Sequence, residues 1–212
     1  MIKKSAICCV MFFIYLVLLL FPFAVSAEDG KASVSLWVPV SPFISGDAGS
    51  GTGAPEYKDA FSTGIGVGGE FAWRFCRWFS GVGGLAYEVF DGKTYQGISI
   101  DNLKVMPLYV GGKFHLIPNA APWDLYLRTD LGAAYLSPVD VSVDSLSGRY
   151  WNSSWVFLFD VGVGTEYLWG AWGVSLDVKV RYLGSPDSAL GKPSEAGSFW
   201  TVPIVLGLNY HF

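Results

Sequence analysis

The sequence is poor in charge and, beyond its first residues, has no long apolar run. Charged side chains make up 15% of the 212 residues, whereas a soluble domain usually carries about 25%. After residue 27 no stretch is apolar for long enough to form a membrane-spanning helix, and no helical periodicity stands out. This composition argues against an ordinary soluble helical domain and favours a membrane protein or an extended sheet.

Cysteine is also scarce, since the chain contains three cysteines. Cys8 and Cys9 lie in the apolar N-terminal run, and Cys76 is then alone, which excludes a disulfide framework within the rest of the chain. A lipoprotein cysteine would close the apolar run behind a small residue, whereas Cys8 follows Ile7 near its start. We therefore expect Cys76 to be an unpaired cysteine at the end of a strand.

The N-terminus has the organisation of an export signal. Lys3 and Lys4 precede an apolar run, and the small-residue segment 24–27 closes it before the polar residues Glu28 and Asp29. This order predicts a secretory signal peptide over residues 1–27, cleaved near Ala27, followed by a barrel domain over residues 28–212. An uncleaved anchor is the alternative, which Pro22 disfavours.

Removal of the signal makes the chain more acidic. The full sequence has 14 basic and 18 acidic residues; two of the basic ones, Lys3 and Lys4, leave with the signal, so the net charge becomes −6. An acidic exported protein lacks the basic surface that nucleic acid requires, and we expect no nucleic-acid partner.

Period-2 alternation runs through most of the remaining sequence. Ile65, Val67 and Phe71, for example, alternate with Gly66 and Glu70, as in a strand with one lipid-facing side. Segments of this kind cover residues 31–40, 65–75, 79–90, 103–116, 125–136, 154–169, 172–183 and 199–212. Because a membrane tolerates no open sheet edge, these segments predict an all-β fold, an eight-stranded antiparallel transmembrane β-barrel with up-and-down meander topology.

The connections between these segments alternate in length. Those at residues 41–60, 91–102, 137–153 and 184–198 are long and rich in Gly, Ser, Pro and Asp, whereas those at 76–78, 117–124 and 170–171 are short. Outer-membrane barrels have long external loops and short periplasmic turns. We therefore predict that the long connections lie at the external end of the barrel, where an extracellular ligand could bind. Both termini then fall on the periplasmic side.

The stretch from Gly64 to Gly69 matches the G-x-G-x-x-G fingerprint of dinucleotide-binding turns. That fingerprint requires a helix after it, whereas the alternating strand residues 70–75 follow here. Similar pentapeptides recur at 110–114, 163–167 and 206–210, each with a glycine on the inward side. We interpret these glycines as space for a crowded barrel interior, and we expect no cofactor.

Aromatic residues fall near the predicted strand ends, as in the girdles of membrane barrels. The predicted periplasmic girdle comprises Phe71, Trp73, Phe114, Tyr167, Tyr210 and Phe212, and the outer girdle comprises Tyr87, Tyr135, Trp155, Tyr182 and Trp200. With its signal peptide, its strands and the terminal segment 206–212, which ends in Phe212, the chain resembles the small bacterial outer-membrane barrels of the OmpA-barrel and OmpX-like kind. The resemblance implies an outer-membrane location, membrane lipids including lipopolysaccharide as partners, and recognition of Tyr210 and Phe212 by the barrel-assembly machinery.

Charged residues also occupy the predicted inward positions. They are Glu70, Arg74, Glu88, Lys113, Arg128, Asp130, Asp160, Glu166, Asp177, Lys179 and Arg181. A barrel of this size is just wide enough for its own side chains, and buried charges must pair. The sequence therefore predicts a salt-bridged, non-conducting lumen and a structural or surface-interaction role; a narrow channel for small or hydrophobic solutes is the alternative.

A lipid A-modifying enzyme is a further alternative. Lipid A deacylases resemble small barrels that carry a His-x-Ser motif, but His115 is followed by Leu116 and Ile117, and His211 by Phe212. We expect His115 and His211 to be satisfied structural residues, and we predict neither a catalytic nor a metal site, although a Ser–His–acid set drawn from distant strands stays open.

Overall fold

The computed structural model describes residues 31–50, 53–117, 122–144, 146–191 and 195–212. The predicted signal peptide, residues 1–27, lies outside the described residues. The strands are β1 (Lys31–Ser41), β2 (Phe43–Ser45), β3 (Gly64–Cys76), β4 (Phe79–Phe90), β5 (Thr94–Tyr95), β6 (Ile98–Ile100), β7 (Leu103–His115), β8 (Trp123–Leu136), β9 (Val139–Val143), β10 (Leu146–Trp151), β11 (Ser154–Trp169), β12 (Trp172–Leu183), β13 (Phe199–Thr201) and β14 (Ile204–His211), with the short helix α1 (Tyr57–Ala60). No helix in these ranges is long and apolar enough to cross a membrane.

The long strands form a closed antiparallel barrel. Neighbours along the chain pair in the order β1, β3, β4, β7, β8, β11, β12 and β14, and β14 pairs back onto β1, with Val38 opposite Leu206. The predicted eight-stranded meander barrel is therefore confirmed. Because Pro203 has no N–H to donate to the sheet, the last predicted strand is split into β13 and β14.

The side chains of the barrel strands alternate between an apolar outer surface and a crowded interior. On β1, Leu36 retains 71% of its surface exposed, whereas its neighbour Trp37 points inward and is buried. The same alternation places Val178 outside and Lys179 inside on β12. This follows from the two-residue period of a strand, and it leaves a broad apolar belt around the barrel.

The connections give the barrel two different ends. At one end, which we call the short-turn end, β3 joins β4 at Arg77–Trp78 and β11 joins β12 at Gly170–Ala171. At the other, the long-loop end, lie the connections around residues 42–63, 91–102, 137–153 and 184–198. The predicted alternation of long and short connections is therefore present.

Three of the long connections contain strands that sequence reasoning treated only as loops: β2 lies in the first, and a hairpin lies in each of the next two. The hairpins β5–β6 and β9–β10 join into a four-stranded antiparallel sheet in the order β10, β9, β6, β5, here called the loop sheet. The hairpin β5–β6 turns through Gln96 and Gly97, both with positive φ, at 50° and 82°, as two-residue hairpin turns require.

Candidate functional site: a filled lumen and a loop sheet

The lumen contains an ion-paired group near the long-loop end. Arg181 donates from Nε to Oδ1 of Asp160 at 2.9 Å and from Nη1 to Oε1 of Glu88 at 2.6 Å. Ser41 donates to the other Glu88 oxygen at 2.7 Å. All four side chains are buried, so strands β1, β4, β11 and β12 are joined across the interior at this level.

A second group, the central ion cluster, fills the middle of the lumen. It comprises Glu70, Lys113, Arg128, Asp130, Asp177 and Lys179. Glu70 accepts hydrogen bonds from the Arg128 guanidinium and, at 2.9 Å, from the Tyr109 hydroxyl. It also forms an ion pair with the Lys113 ammonium at 2.8 Å. Arg128 also bonds Asp130 at 2.7 Å. The cluster therefore carries three basic and three acidic side chains, so opposite charges meet inside the barrel, as buried charges must.

Aromatic rings complete the middle layer. The Lys179 ammonium lies 5.3 Å from the ring centroid of Tyr109 and 5.8 Å from that of Trp37. The Arg128 guanidinium lies 5.3 Å from the Tyr109 ring. These distances fall within the range of cation–π attraction, so rings and charges pack together in the same layer.

Glycines make room for these large side chains. A Cβ atom at Gly68 would lie 2.4 Å from the Trp37 ring, and one at Gly164 would lie 1.9 Å from an Asp177 carboxylate oxygen. A Cβ at Gly111 would lie 2.2 Å from Asp130. The G-x-G-x-x-G stretch is therefore part of a barrel strand whose inward glycines face bulky neighbours.

The polar groups at the short-turn end are arranged differently. Glu166 accepts hydrogen bonds from His211 Nε2 and Asn209 Nδ2, each at 2.7 Å. Arg74 is partly exposed and lies 3.7 Å from Asp124, apart from the central ion cluster. Sequence reasoning missed Asp124 as an inward residue, because it assigned residues 117–124 to a turn, whereas β8 begins at Trp123.

His115 has two polar partners at this end. Its Nε2 lies 2.7 Å from Ser80 Oγ, and its Nδ1 lies 2.7 Å from Asp124 Oδ2. The three side chains come from β4, β7 and β8. No group of three or more metal-ligating side chains occurs within the described ranges.

Aromatic residues from the long connections and from the adjoining strand ends close the long-loop end. The cluster comprises Phe43, Tyr57, Phe61, Phe90, Trp151 and Phe199, all buried. The Tyr57 ring lies 4.3 Å from that of Phe199 and 5.5 Å from that of Trp151. Burial, together with Tyr150 and Asp47, raises the pKa of the Tyr57 phenol, which stays protonated and donates to the Gly197 carbonyl at 3.2 Å. We call this group the aromatic cap. Its members have no local sequence signal, because they come from segments that are far apart in the sequence.

The loop sheet has one apolar and one polar face. Register places Val143 opposite Leu146 and Val141 opposite Ile100 on one face. Leu146 keeps 78% of its surface exposed. On the other face Asp140 pairs with Arg149, and both are exposed. An apolar sheet face at the surface is typical of an interaction site.

No protein-family model matches the sequence, and no curated protein matches it. Solved structures do match the fold. The attachment invasion locus protein Ail of Yersinia pestis is 16% identical, with a TM-score of 0.54 over 87% of this chain and 100% of that chain. Neisserial surface protein A is 11% identical, with a TM-score of 0.57 over the same shares. OprG of Pseudomonas aeruginosa is 13% identical, with a TM-score of 0.56 over 86% of this chain and 97% of that chain.

The chain has the fold of the small eight-stranded outer-membrane β-barrels. The predicted resemblance is thereby confirmed at the level of fold. In such barrels, aromatic residues border the apolar belt where the lipid headgroups begin.

The aromatic residues predicted for the two girdles lie on the outer surface of the barrel. Towards the short-turn end these are Phe71, Trp73, Phe114, Tyr167, Tyr210 and Phe212, and towards the long-loop end Tyr87, Tyr135, Trp155, Tyr182 and Trp200. Rings meet edge-on between neighbouring strands, with Tyr182 and Trp200 at 5.1 Å and Tyr135 and Trp155 at 5.7 Å. Sequence reasoning missed further exposed aromatics at the short-turn end: Trp78, Phe79, Trp123, Trp169 and Trp172.

Proposed function

We propose that the protein is an integral outer-membrane barrel whose lumen does not conduct and whose long-loop end contacts external surfaces. The observation that carries the proposal is the presence of two barriers in series. The central ion cluster fills the middle of the lumen, and the aromatic cap covers the long-loop end. The side chains of both layers are mostly buried, and this packing in a barrel of this width supports a lumen without a continuous water path.

The proposed location in the outer membrane rests on the outer surface of the barrel. The apolar belt, the girdle residues and the barrel fold shared with bacterial outer-membrane proteins all suit insertion into that membrane. Partners would be membrane lipids including lipopolysaccharide, and the barrel-assembly machinery would read the last strand through Tyr210 and Phe212. The chain would then be oriented with its long-loop end outside.

The contact role rests on the loop sheet. The outer part of its apolar face, at Val143 and Leu146, is exposed, whereas Val139 and Ile100 pack against the buried core. We therefore place the proposed partner contact at Val143 and Leu146, within the connections 91–102 and 137–153. Of the two proteins that share the fold, one is named an attachment invasion locus protein and the other a surface protein. This likeness supports a surface role without indicating a partner.

Planar-bilayer recording of the refolded barrel tests the closed lumen. We expect no stable unitary conductance from the wild type, and none from Arg128→Ala or Tyr57→Ala alone, because each leaves one barrier in place. The double variant Arg128→Ala/Tyr57→Ala is expected to conduct. Reproducible conductance from the wild type would support the narrow-channel alternative instead. Heat-dependent gel mobility, which differs between a folded and a boiled barrel, checks that each variant has folded.

A further inference from the structure

Ser80, His115 and Asp124 lie in the order of a nucleophile, a base and an orienting carboxylate. Asp124 only accepts hydrogen bonds when ionised, so its 2.7 Å contact places a proton on His115 Nδ1. Nε2 of the neutral ring is then an acceptor, and the Ser80 hydroxyl donates to it at 2.7 Å. Sets with these roles recur on unrelated folds and are recognised by geometry.

We propose that these three residues form a hydrolytic site for small carboxylic esters at the short-turn end of the lumen, an activity beyond the proposed contact role. In this site Ser80 and His115 are the catalytic residues, and Asp124 is a positioning residue. The inference does not depend on whether the lumen conducts.

The site is built on rigid strands. Ser80 is the second residue of β4, His115 is the last of β7 and Asp124 is the second of β8. The His115 backbone N–H donates to the Trp78 carbonyl at 2.9 Å, which fixes the strand end. These residues keep 4%, 5% and 6% of their surface exposed, respectively. A site held on strands keeps its geometry better than one on loops.

Positive charge flanks the serine on both sides. Arg74 lies opposite Ser80 in the β3–β4 register, and Lys113 lies opposite it in the β4–β7 register. The Arg74 side chain keeps 25% of its surface exposed and so connects the site with the short-turn end. The Arg74 guanidinium donates to the Arg77 carbonyl at 2.9 Å and lies 3.7 Å from Asp124. In the proposed reaction this cation, next to the triad, would stabilise the negative oxygen that develops when the serine attacks a carbonyl.

The surroundings limit the substrate to a small one. Above the triad, Tyr126 packs edge-on against His115 with ring centroids 6.0 Å apart, and Lys113 is held by Glu70. Because Tyr126 is buried beside the triad and Lys113 is largely buried, we limit the proposal to esters with a short acyl chain. The cationic flanks favour an ester whose acyl or alcohol part is short and neutral or anionic.

The reaction would follow the usual two steps. Ser80 Oγ forms a bond to the ester carbonyl carbon while its proton passes to His115 Nε2. The bond from that carbon to the alcohol oxygen breaks, and His115 returns the proton to the leaving alcohol. Water, deprotonated by His115, then attacks the acyl-serine, which releases the carboxylic acid and restores the Ser80 hydroxyl.

The first test is covalent labelling of the refolded full chain in detergent micelles with a fluorophosphonate probe. We expect the folded wild type to label at Ser80 faster than heat-unfolded protein. Ser80→Ala should remove this labelling, whereas Ser175→Ala, at another buried lumen serine, should leave it unchanged. His115→Gln should lower the labelling rate about a hundredfold, as loss of a general base does.

The second test is hydrolysis of p-nitrophenyl acetate. Asp124→Asn should lower kcat at least tenfold with little change in KM. Heat-dependent gel mobility checks that this variant still folds as a barrel. If Asp124 had only a structural role, neither constant would change in the folded variant. A third test keeps a nucleophile at position 80. In a Cys76→Ser background, the thiol of Ser80→Cys should react with iodoacetamide at least tenfold faster than the thiol of Ser175→Cys, because His115 would activate it. Wild-type labelling no faster than that of unfolded protein, or equal labelling in folded Ser80→Ala, would overturn the proposal.

Discussion

Arg181 and Asp160 face each other across β11 and β12 and share a bidentate pair of hydrogen bonds, 2.9 Å from Nε to Oδ1 and 3.0 Å from Nη2 to Oδ2. The same guanidinium bonds Glu88 from β4. One arginine therefore bonds two buried carboxylates, Asp160 on the neighbouring strand and Glu88 from across the lumen, and offsets one of their two negative charges. Such a junction makes the barrel sensitive to loss of that single side chain.

We expect Arg181→Met to lower the free energy of unfolding by about 3–5 kcal/mol, because it leaves buried carboxylates without their partner. Urea unfolding of the barrel in lipid vesicles, followed by tryptophan fluorescence, measures the change. Arg149→Ala is the matched control, since Arg149 pairs with Asp140 at the surface, and its effect should stay below about 1 kcal/mol. Equal unfolding midpoints for the two variants would contradict this account of the lumen.

Adjacent glycines on β3 provide a second prediction. We expect Gly68→Ala to cost about 1–3 kcal/mol, because the new methyl group would collide with the buried Trp37 ring. Gly69→Ala points outward, where the nearest atom is 3.5 Å away, and it should change stability by less than about 0.5 kcal/mol. The same unfolding assay distinguishes them, and a reversed order would mean that the sides of β3 are assigned wrongly.

The outer face of β12 is tested by Val178→Arg. Val178 is exposed in the apolar belt, and an arginine near the bilayer midplane should lower stability by about 2–4 kcal/mol. Val143→Arg, on the loop sheet outside the belt, should have little effect. Refolding yields and unfolding midpoints in vesicles report both, and a negligible effect of Val178→Arg would show that this face does not meet lipid.

The exposed thiol of Cys76 tests the orientation in the membrane. Cys76 lies at the short-turn end, so a membrane-impermeant maleimide added to intact cells should not label the mature wild type. The variant Cys76→Ser/Leu146→Cys, with its thiol on the loop sheet, should label readily. Labelling of the wild type but not of this variant would indicate the opposite orientation.

The barrel could be predicted from the sequence because its signal is local. Each strand alternates strictly, so residues such as Val178 and Lys179 are assigned to opposite sides without knowledge of any neighbour. The β9 segment, with Val139, Val141 and Val143 alternating with polar residues, carries the same signal. It was overlooked because it lies within a stretch that reads as a loop.

The site depends on contacts that no local pattern encodes. Ser80, His115 and Asp124 meet only when β4, β7 and β8 pair in the observed register. The aromatic cap likewise joins Tyr57, Trp151 and Phe199 from three segments far apart in sequence. The sequence shows which of these residues point inward or are aromatic. Which side chains come into contact depends on how the strands are aligned in the folded barrel.

The pairing of β1 with β14 joins the first and last described strands, with Ser33 opposite His211. Until β14 has emerged, the backbone donors and acceptors along the outer edge of β1 lack their native partners, and such an edge is a template for pairing with other chains. Contacts between residues that are this far apart in the sequence also form slowly. The barrel therefore cannot close until β14 has been made and delivered, and until then the exposed edge of β1 is prone to aggregation. We expect β1 to need protection during transit to the membrane.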